Sequence, residues 1–434
     1  METQRKTLGQ LFVPICFETL FYMLAGMVDT LMLSSVSDQA VGAVGTANTY
    51  ISMFIIMFSI ISTGMIAVMT QNIGAGSPGV AYQARQIGIV FNASLGILLG
   101  LFLWAFSGNI LDMVGIADAL KESAAIYLEI VGGCCFFNAL IPIFAGYLRS
   151  FGYAKHSLYA TVIANVLNFV LNALFLFGLD MGVMGVAIAT VISKAVNLLI
   201  VVVEAQLLVH AKNDPTRLEN KVVLGQIIKV GLPSALETAL YNVAMALVIR
   251  FLNQMDTEGI NVTARSYTSQ IANFSFCIGA ALAQANAIMT GWRVGAKEYE
   301  ECDKGTKKAA IIGIGVSLLV ASGIAFFGGS IVGLFTDDPV MVSLVCKLLV
   351  IDIALEMGRV TNLVFGQALK TSGDPVFPVI IAAVFMYLCA VGGTYVFGIC
   401  LELQVVGAFI GLAIDECIRA VFMFGRWQTG KWRN

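Results

Sequence analysis

The chain repeats itself. Pro14-x-x-x-Glu18-Thr19-x-x-Tyr22 returns as Pro233-x-x-x-Glu237-Thr238-x-x-Tyr241. Met69-Thr70 with Gly74-Ala75 returns as Met289-Thr290 with Gly295-Ala296. Leu148-Arg149-Ser150-Phe151-Gly152 returns as Leu369-Lys370-Thr371-Ser372-Gly373. The offset drifts only from 219 residues at Pro14/Pro233 to 222 at Gly185/Gly407, so the chain is two copies of one unit. In so apolar a chain, a duplicated unit is the usual build of a membrane transporter with its substrate between the halves.

Composition names the solvent. The chain is 58% hydrophobic and 12% charged, where a soluble domain carries roughly 25% charged residues. Twelve apolar segments stand near 9–33, 48–71, 86–108, 124–148, 156–178, 184–209, 227–252, 265–288, 308–330, 343–369, 375–397 and 404–425. Each is long enough for a hydrocarbon core that takes ~20 helical residues. Backbone groups in lipid must be satisfied within the segment, so these spans are expected to be helices. Six fall in each repeat, and an even number inserts both copies with the same orientation. The expectation is an all-α integral membrane protein of twelve spans in two parallel-oriented six-helix repeats. It divides into an N-lobe at 1–210, a linker at 211–226 and a C-lobe at 227–434. The first residues run into span 1 without a small-residue cleavage site, which reads as an uncleaved span.

Lys and Arg orient the spans. Of 25 such residues, eighteen lie at the termini and in the breaks after even-numbered spans, among them Arg5, Arg149, Lys212 and Lys370. Only Lys121 and Lys347 lie in the opposite breaks. That bias puts both termini in the cytoplasm and the chain in the plasma membrane as a multi-pass protein. Several chemistries drop out. Gly291-Trp-Arg-Val-Gly-Ala-Lys297 has the wrong spacing for a P-loop and lacks its hydroxyl. Two histidines, and nine cysteines without C-x-x-C spacing, give no metal or redox site. No cofactor, enzymatic activity or nucleic-acid partner is expected. The partners are a small-molecule substrate and the lipid bilayer, and transport is driven by an ion gradient or is passive.

Ionisable residues inside the spans each cost ~2.5–3.5 kcal/mol at a helix centre and mark a pathway or a pairing. On span 1, Glu18, Tyr22, Gly26 and Asp29 follow steps of four, four and three and form one stripe. Asn165, Asn168 and Asn172 share a face of span 5, as Thr190, Lys194 and Asn197 share one of span 6. These stripes suit a cation or proton site of one carboxylate with amide and hydroxyl oxygens. Hydrogen bonds between helices are the other account. The second repeat keeps Glu237 and Tyr241, but the counterpart of Asp29 is Val248. Span 10 carries Glu356 and Arg359, and span 12 carries Asp415, Glu416 and Arg419, at the spacing of intrahelical ion pairs. Their counterparts are Cys135, Asn138, Ser193, Lys194 and Asn197, so most of this charge is unrepeated. Asp415, Glu416, Arg419 and Lys194 are read as structural charge pairs. Glu18, Tyr22, Glu237, Tyr241, Glu356, Arg359, Arg265 and Asn273 are read as a substrate-facing or second-lobe polar set, with structural pairing of Glu356 and Arg359 also open.

These features resemble the multidrug and toxic compound extrusion (MATE) transporters of the multidrug/oligosaccharidyl-lipid/polysaccharide exporter superfamily, over essentially the whole chain. The resemblance is carried jointly by several motifs. They are the twelve spans in two repeats, Pro-x-x-x-Glu on span 7, Val28-Asp29-Thr30, the paired Gly-Ala loops and the Leu-Arg-Ser-x-Gly and Leu-Lys-Thr-Ser-Gly runs. It implies a V-shaped two-lobe transporter with a cleft flanked by spans 1, 2, 7 and 8. The family's first-lobe cation site maps onto Asp29, Asn168, Asn172 and Thr190, with Asn172 standing where the family has an aspartate. A second-lobe aspartate of one branch maps onto Arg359, so that site does not carry over. The runs at 356–359 and 415–419 look like a less characterised bacterial branch. The implied function is a secondary active antiporter exporting organic cationic or amphipathic small molecules in exchange for H⁺ or Na⁺, by alternating access. With one carboxylate at the first-lobe site, H⁺ is at least as easy to arrange as Na⁺. The alternative is a flippase of a lipid-linked saccharide, for which Arg250, Arg265 and Arg359 would form a cationic cleft. A major-facilitator carrier is disfavoured, because the loop after span 2 lacks Gly-x-x-x-Asp-[Arg/Lys]-x-Gly. Two repeats in one chain make a monomer sufficient.

Overall fold

A computed structural model describes the chain apart from residues 1–5, 36, 115, 117, 256–258 and 434, and the side chains of 38, 114 and 118. Arg5, one of the bases used for orientation, lies outside the described residues. Among the described residues the chain is helical, without a strand. The first six passes are α1 (Leu8–Ser34), α2 (Asp38–Gly74), α3 (Pro78–Val114), the pair α4 (Asp118–Tyr127) and α5 (Phe136–Ser150), α6 (Ala154–Ala173) and α7 (Gly182–Leu208). The next six are α8 (Asn220–Met255), α9 (Ile260–Gly295), α10 (Tyr299–Phe326) with the short α11 (Gly328–Val332) after it, α12 (Pro339–Ser372), α13 (Val376–Phe385) with π-helical turns to Cys400, and α14 (Gln404–Gln428).

Nine of these helices, or ten counting the α4–α5 pair bent by 42°, are long and apolar enough to cross a bilayer. The other two, α12 and α14, have 34 and 25 residues and are long enough. Their apolar runs are interrupted by Asp352, Glu356, Asp415 and Arg419, all buried in protein. The twelve-span fold therefore holds, with its charged helices placed inside the bundle. The helices also overshoot the apolar windows. α2 starts at Asp38, not near 48, and α8 at Asn220, not near 227. At 1.5 Å per residue a helix of 36 residues is ~54 Å long, beyond a hydrocarbon core of ~30 Å.

The duplication extends to the backbone. Gly152 and Gly373, the glycines that close the paired Leu-Arg/Lys motifs, are both left-handed, with φ of 84° and 109°. Such a residue ends a helix, so it leaves Arg149 and Lys370 in the last turns of α5 and α12. The same holds for Gly76 and Lys297, and for Asp180 and Glu402.

The chain forms two compact units, Met1–Leu232 and Pro233–Asn434, divided inside α8 just ahead of its proline. The second half of the expected linker is therefore helix. It stays with the first unit for a physical reason. Gln83 of α3 donates to the Leu218 carbonyl at 2.6 Å and accepts from the Leu218 amide at 3.0 Å, and Arg217 lies over the Tyr82 ring. Beyond it, Gly64 of α2 and Gly231 of α8 let the two backbones touch. A Cβ on Gly64 would collide with the Ile227 carbonyl, and one on Gly231 with that of Ile60. Gly231→Val is expected to destabilise the protein by about 1–3 kcal/mol, read as a lower melting temperature in detergent; an unchanged melt would mean that this crossing opens freely.

Candidate functional site

Each unit holds its own polar site. In the first unit α1 brings Asp29 against α6. The Asn172 amide donates to Asp29 Oδ1 at 2.7 Å and to Asn168 Oδ1 at 3.3 Å. Asn168 and Asn172 are buried, and the carbonyl oxygen of Asn172 has no hydrogen-bond partner among the described residues. Thr190 of α7 donates to the Val186 carbonyl at 2.8 Å, which leaves its oxygen free to accept. Tyr127 lies beside Thr190 and Asn48 and is electrostatically linked to Asp29 and Tyr22. Lys194 is within electrostatic range of Asp29.

Asp29, Asn168, Asn172 and Thr190 thus gather around one place, joined by Asn48 and Tyr127, which the sequence reading missed. Neither lies on the helices whose stripes were compared. Lys194 departs from its reading as a structural pair. Among the described residues it makes no ion pair, and the charge it acts on is Asp29. Asn165 departs as well, donating to the Phe21 carbonyl at 3.1 Å as a helix-to-helix bond.

The repeated glutamates have repeated partners. Arg149 pairs with Glu18 at 3.3 Å, and Ser157 donates to that carboxylate at 2.8 Å. Lys370 pairs with Glu237 at 2.7 Å. Each motif acid meets the base of the other motif in its own unit. Glu18 and Tyr22 belong to the first unit.

The second unit encloses a cavity of about 450 Å³. Glu237, Tyr241, Arg265, Asn273 and Arg359 all line it, with Glu416, Arg419 and Lys370. Behind the wall, Arg359 pairs with the fully buried Glu356 and reaches Glu416 at 3.8 Å. Arg419 is bidentate on Asp415 at 2.7 and 3.0 Å and meets Glu416 at 2.8 Å. Ser275 donates to Glu356 at 3.3 Å, and Asn362 to Glu416 at 3.0 Å. One glycine makes this proximity possible. A Cβ on Gly358 of α12 would lie 2.7 Å from the Cys417 amide nitrogen of α14. Asp352 was also missed, although it lies four and seven residues before Glu356 and Arg359 on the same helical face. It is buried, lines the cavity and makes no hydrogen bond or ion pair among the described residues.

The MatE family model matches residues 14–174 and again 233–396, one match in each repeat. The chain is 31% identical over 425 residues to the uncharacterized transporter YisQ of Bacillus subtilis, covering 96% of this chain and 93% of that protein. The chain belongs to the MATE family. It is also 24% identical to a probable multidrug resistance protein NorM of Thermotoga maritima, over 99% of this chain and 93% of that one. The structure of an outward-facing multidrug resistance MATE transporter of the MOP superfamily superposes with a TM-score of 0.90 at 20% identity, covering 98% of this chain and 96% of that one. A MOP transporter from Pyrococcus furiosus, described by a binding pocket of reverse polarity, gives 0.88 at 20%, with 98% and 96% covered. These likenesses establish the twelve-helix two-lobe fold and a multi-pass membrane transporter.

In this MATE protein the arginine–carboxylate network tests directly. Removing one partner of a buried pair costs about 3–5 kcal/mol, more than removing both. Arg359→Ala is therefore expected to lower the melting temperature sharply, and Glu356→Gln with Arg359→Met to recover much of the loss. A stable Arg359→Ala protein that binds ligand but does not transport it would assign the pair to transport instead.

Proposed function

We propose that the protein is a secondary active antiporter of the cytoplasmic membrane, exporting organic amphipathic small molecules by alternating access in exchange for H⁺, with Asp29 as the coupling carboxylate. The observation that carries this reading is the Asp29–Asn172 hydrogen bond, with an unpartnered Asn172 oxygen beside it. An amide so placed serves both states of the acid. Its nitrogen donates to the ionised carboxylate, and after a flip its oxygen accepts from the protonated one. Na⁺ has oxygens available from Asp29, Asn168, Asn172 and Thr190. With one carboxylate at the site, where two would hold Na⁺ better, a proton is at least as easy to arrange. The coupling ion then shifts the facing equilibrium only through its different affinity for the two states. The lipid-linked saccharide reading is weakened at one of its three arginines, Arg359, which already faces Glu356 and Glu416.

Asp29→Asn in proteoliposomes is expected to abolish gradient-driven export while substrate binding persists. Normal export by that variant would move coupling to the second unit. Asn172→Asp is expected to raise Na⁺ dependence when Na⁺ and pH gradients are imposed separately.

Orientation has its own test. With both termini cytoplasmic, a cysteine at Asn213 of a functional cysteine-depleted variant resists an impermeant thiol reagent in intact cells. One at Asp337, exposed between α11 and α12, is labelled. The opposite pattern would reverse the direction of transport.

A further inference from the structure

Resting on the transporter reading above, we infer that the second-unit cavity takes the substrate and that this ligand is an organic zwitterion, with an anionic group on Arg265 and a cationic group at Asp352. Nearly every charge around this cavity is matched inside the protein. Glu237 is held by Lys370, and Glu356, Asp415 and Glu416 are shared by Arg359 and Arg419. Two wall residues stand outside that matching. Arg265, on α9, donates from Nη2 to the Met245 sulfur at 3.8 Å and makes no ion pair among the described residues. A thioether is a weak acceptor, so a guanidinium with five donors faces the cavity without a carboxylate among the described residues. Asp352, on α12, faces the same cavity with no hydrogen bond or ion pair among the described residues; the cation within electrostatic range of it is Arg359, already engaged by Glu356 and Glu416, and Glu356 is a like charge beside it. The network between α12 and α14 adds to this pole, with three carboxylates for two guanidiniums. The cavity is thus negative toward Asp352 and positive at Arg265, and Phe276, Met386 and Phe409 supply an apolar wall for the body of the ligand. A half-buried arginine without a counter-ion is a preorganised receptor for a carboxylate or sulfonate. A purely cationic ligand leaves it unmatched.

The test uses the detergent-purified full chain and four probes on one naphthalene ring. They are naphthylalanine as zwitterion, naphthylpropanoate as anion, naphthylethylammonium as cation and ethylnaphthalene as neutral reference, with affinities from calorimetric titration. Naphthylalanine is expected to bind roughly tenfold or more tighter than either singly charged probe, the size of one charge-assisted hydrogen bond. Arg265→Gln removes its advantage over naphthylethylammonium and spares that over naphthylpropanoate; Asp352→Asn does the reverse; Arg265→Lys keeps part of the preference. Melting temperatures report folding, and where a variant does not fold, the ranking of probes on the unsubstituted protein decides. Naphthylethylammonium binding as tightly as naphthylalanine overturns the inference, as does an Arg265→Gln protein that folds and keeps the full ranking. Proteoliposomes separate this from the antiport reading. The expected ranking without gradient-driven movement of naphthylalanine sinks the antiporter and leaves the ligand class. Gradient-driven movement that prefers naphthylethylammonium sinks the ligand class and leaves the antiporter.

Discussion

A charge inside a bilayer-spanning bundle must find its partner in the protein, and this chain is organised around that demand. Glu18 and Glu237 each begin a repeat, and each is neutralised by a base from the last turn of another helix in its own unit. That base stands where it does because the next glycine but two is left-handed and stops the helix there. One duplicated ion pair thereby ties α1 to α5, with Ser157 of α6 on the same carboxylate, and α8 to α12. The functional polar groups are hung on that frame.

From the same frame the two copies have diverged in opposite directions. Asp29 sits among amides and a tyrosine, whereas its counterpart Val248 is fully buried in an apolar cluster with Leu348 and Met386. Conversely, Cys135 packs in a small apolar cluster of the first unit, where the second unit has Glu356 at the centre of its ion-pair network. Each unit has thus moved its charge to a different depth. A single carboxylate in one unit and a dense, nearly matched network in the other are suited to different tasks, and the proposed division is coupling in the first and ligand recognition in the second.

Matching has an energetic reason as well. Three carboxylates and two guanidiniums between α12 and α14 would each be costly alone. Serine and asparagine donors complete their hydrogen bonds, so the network holds the helices in register. The approach of the two backbones at Gly358 brings the charges within reach. Against this background the two unmatched residues, Arg265 and Asp352, are informative because the rest of the wall is satisfied.

The sequence by itself determined the solvent, the twelve passes and the duplication, because apolar run length and repeat spacing are local properties that survive without knowledge of neighbours; the set Asp29, Asn168, Asn172 and Thr190 was what the family resemblance implied. It missed Asn48, Tyr127 and Asp352, and it placed Lys194 with the structural pairs. Nor did it identify Lys370, on another helix, as the partner of Glu237. Those assignments depend on which side chain of a distant segment faces which. The helix stops at Gly152 and Gly373 and the close crossing at Gly358 are among the features that decide it. Periodicity tells a residue's face; only tertiary packing tells what stands opposite it.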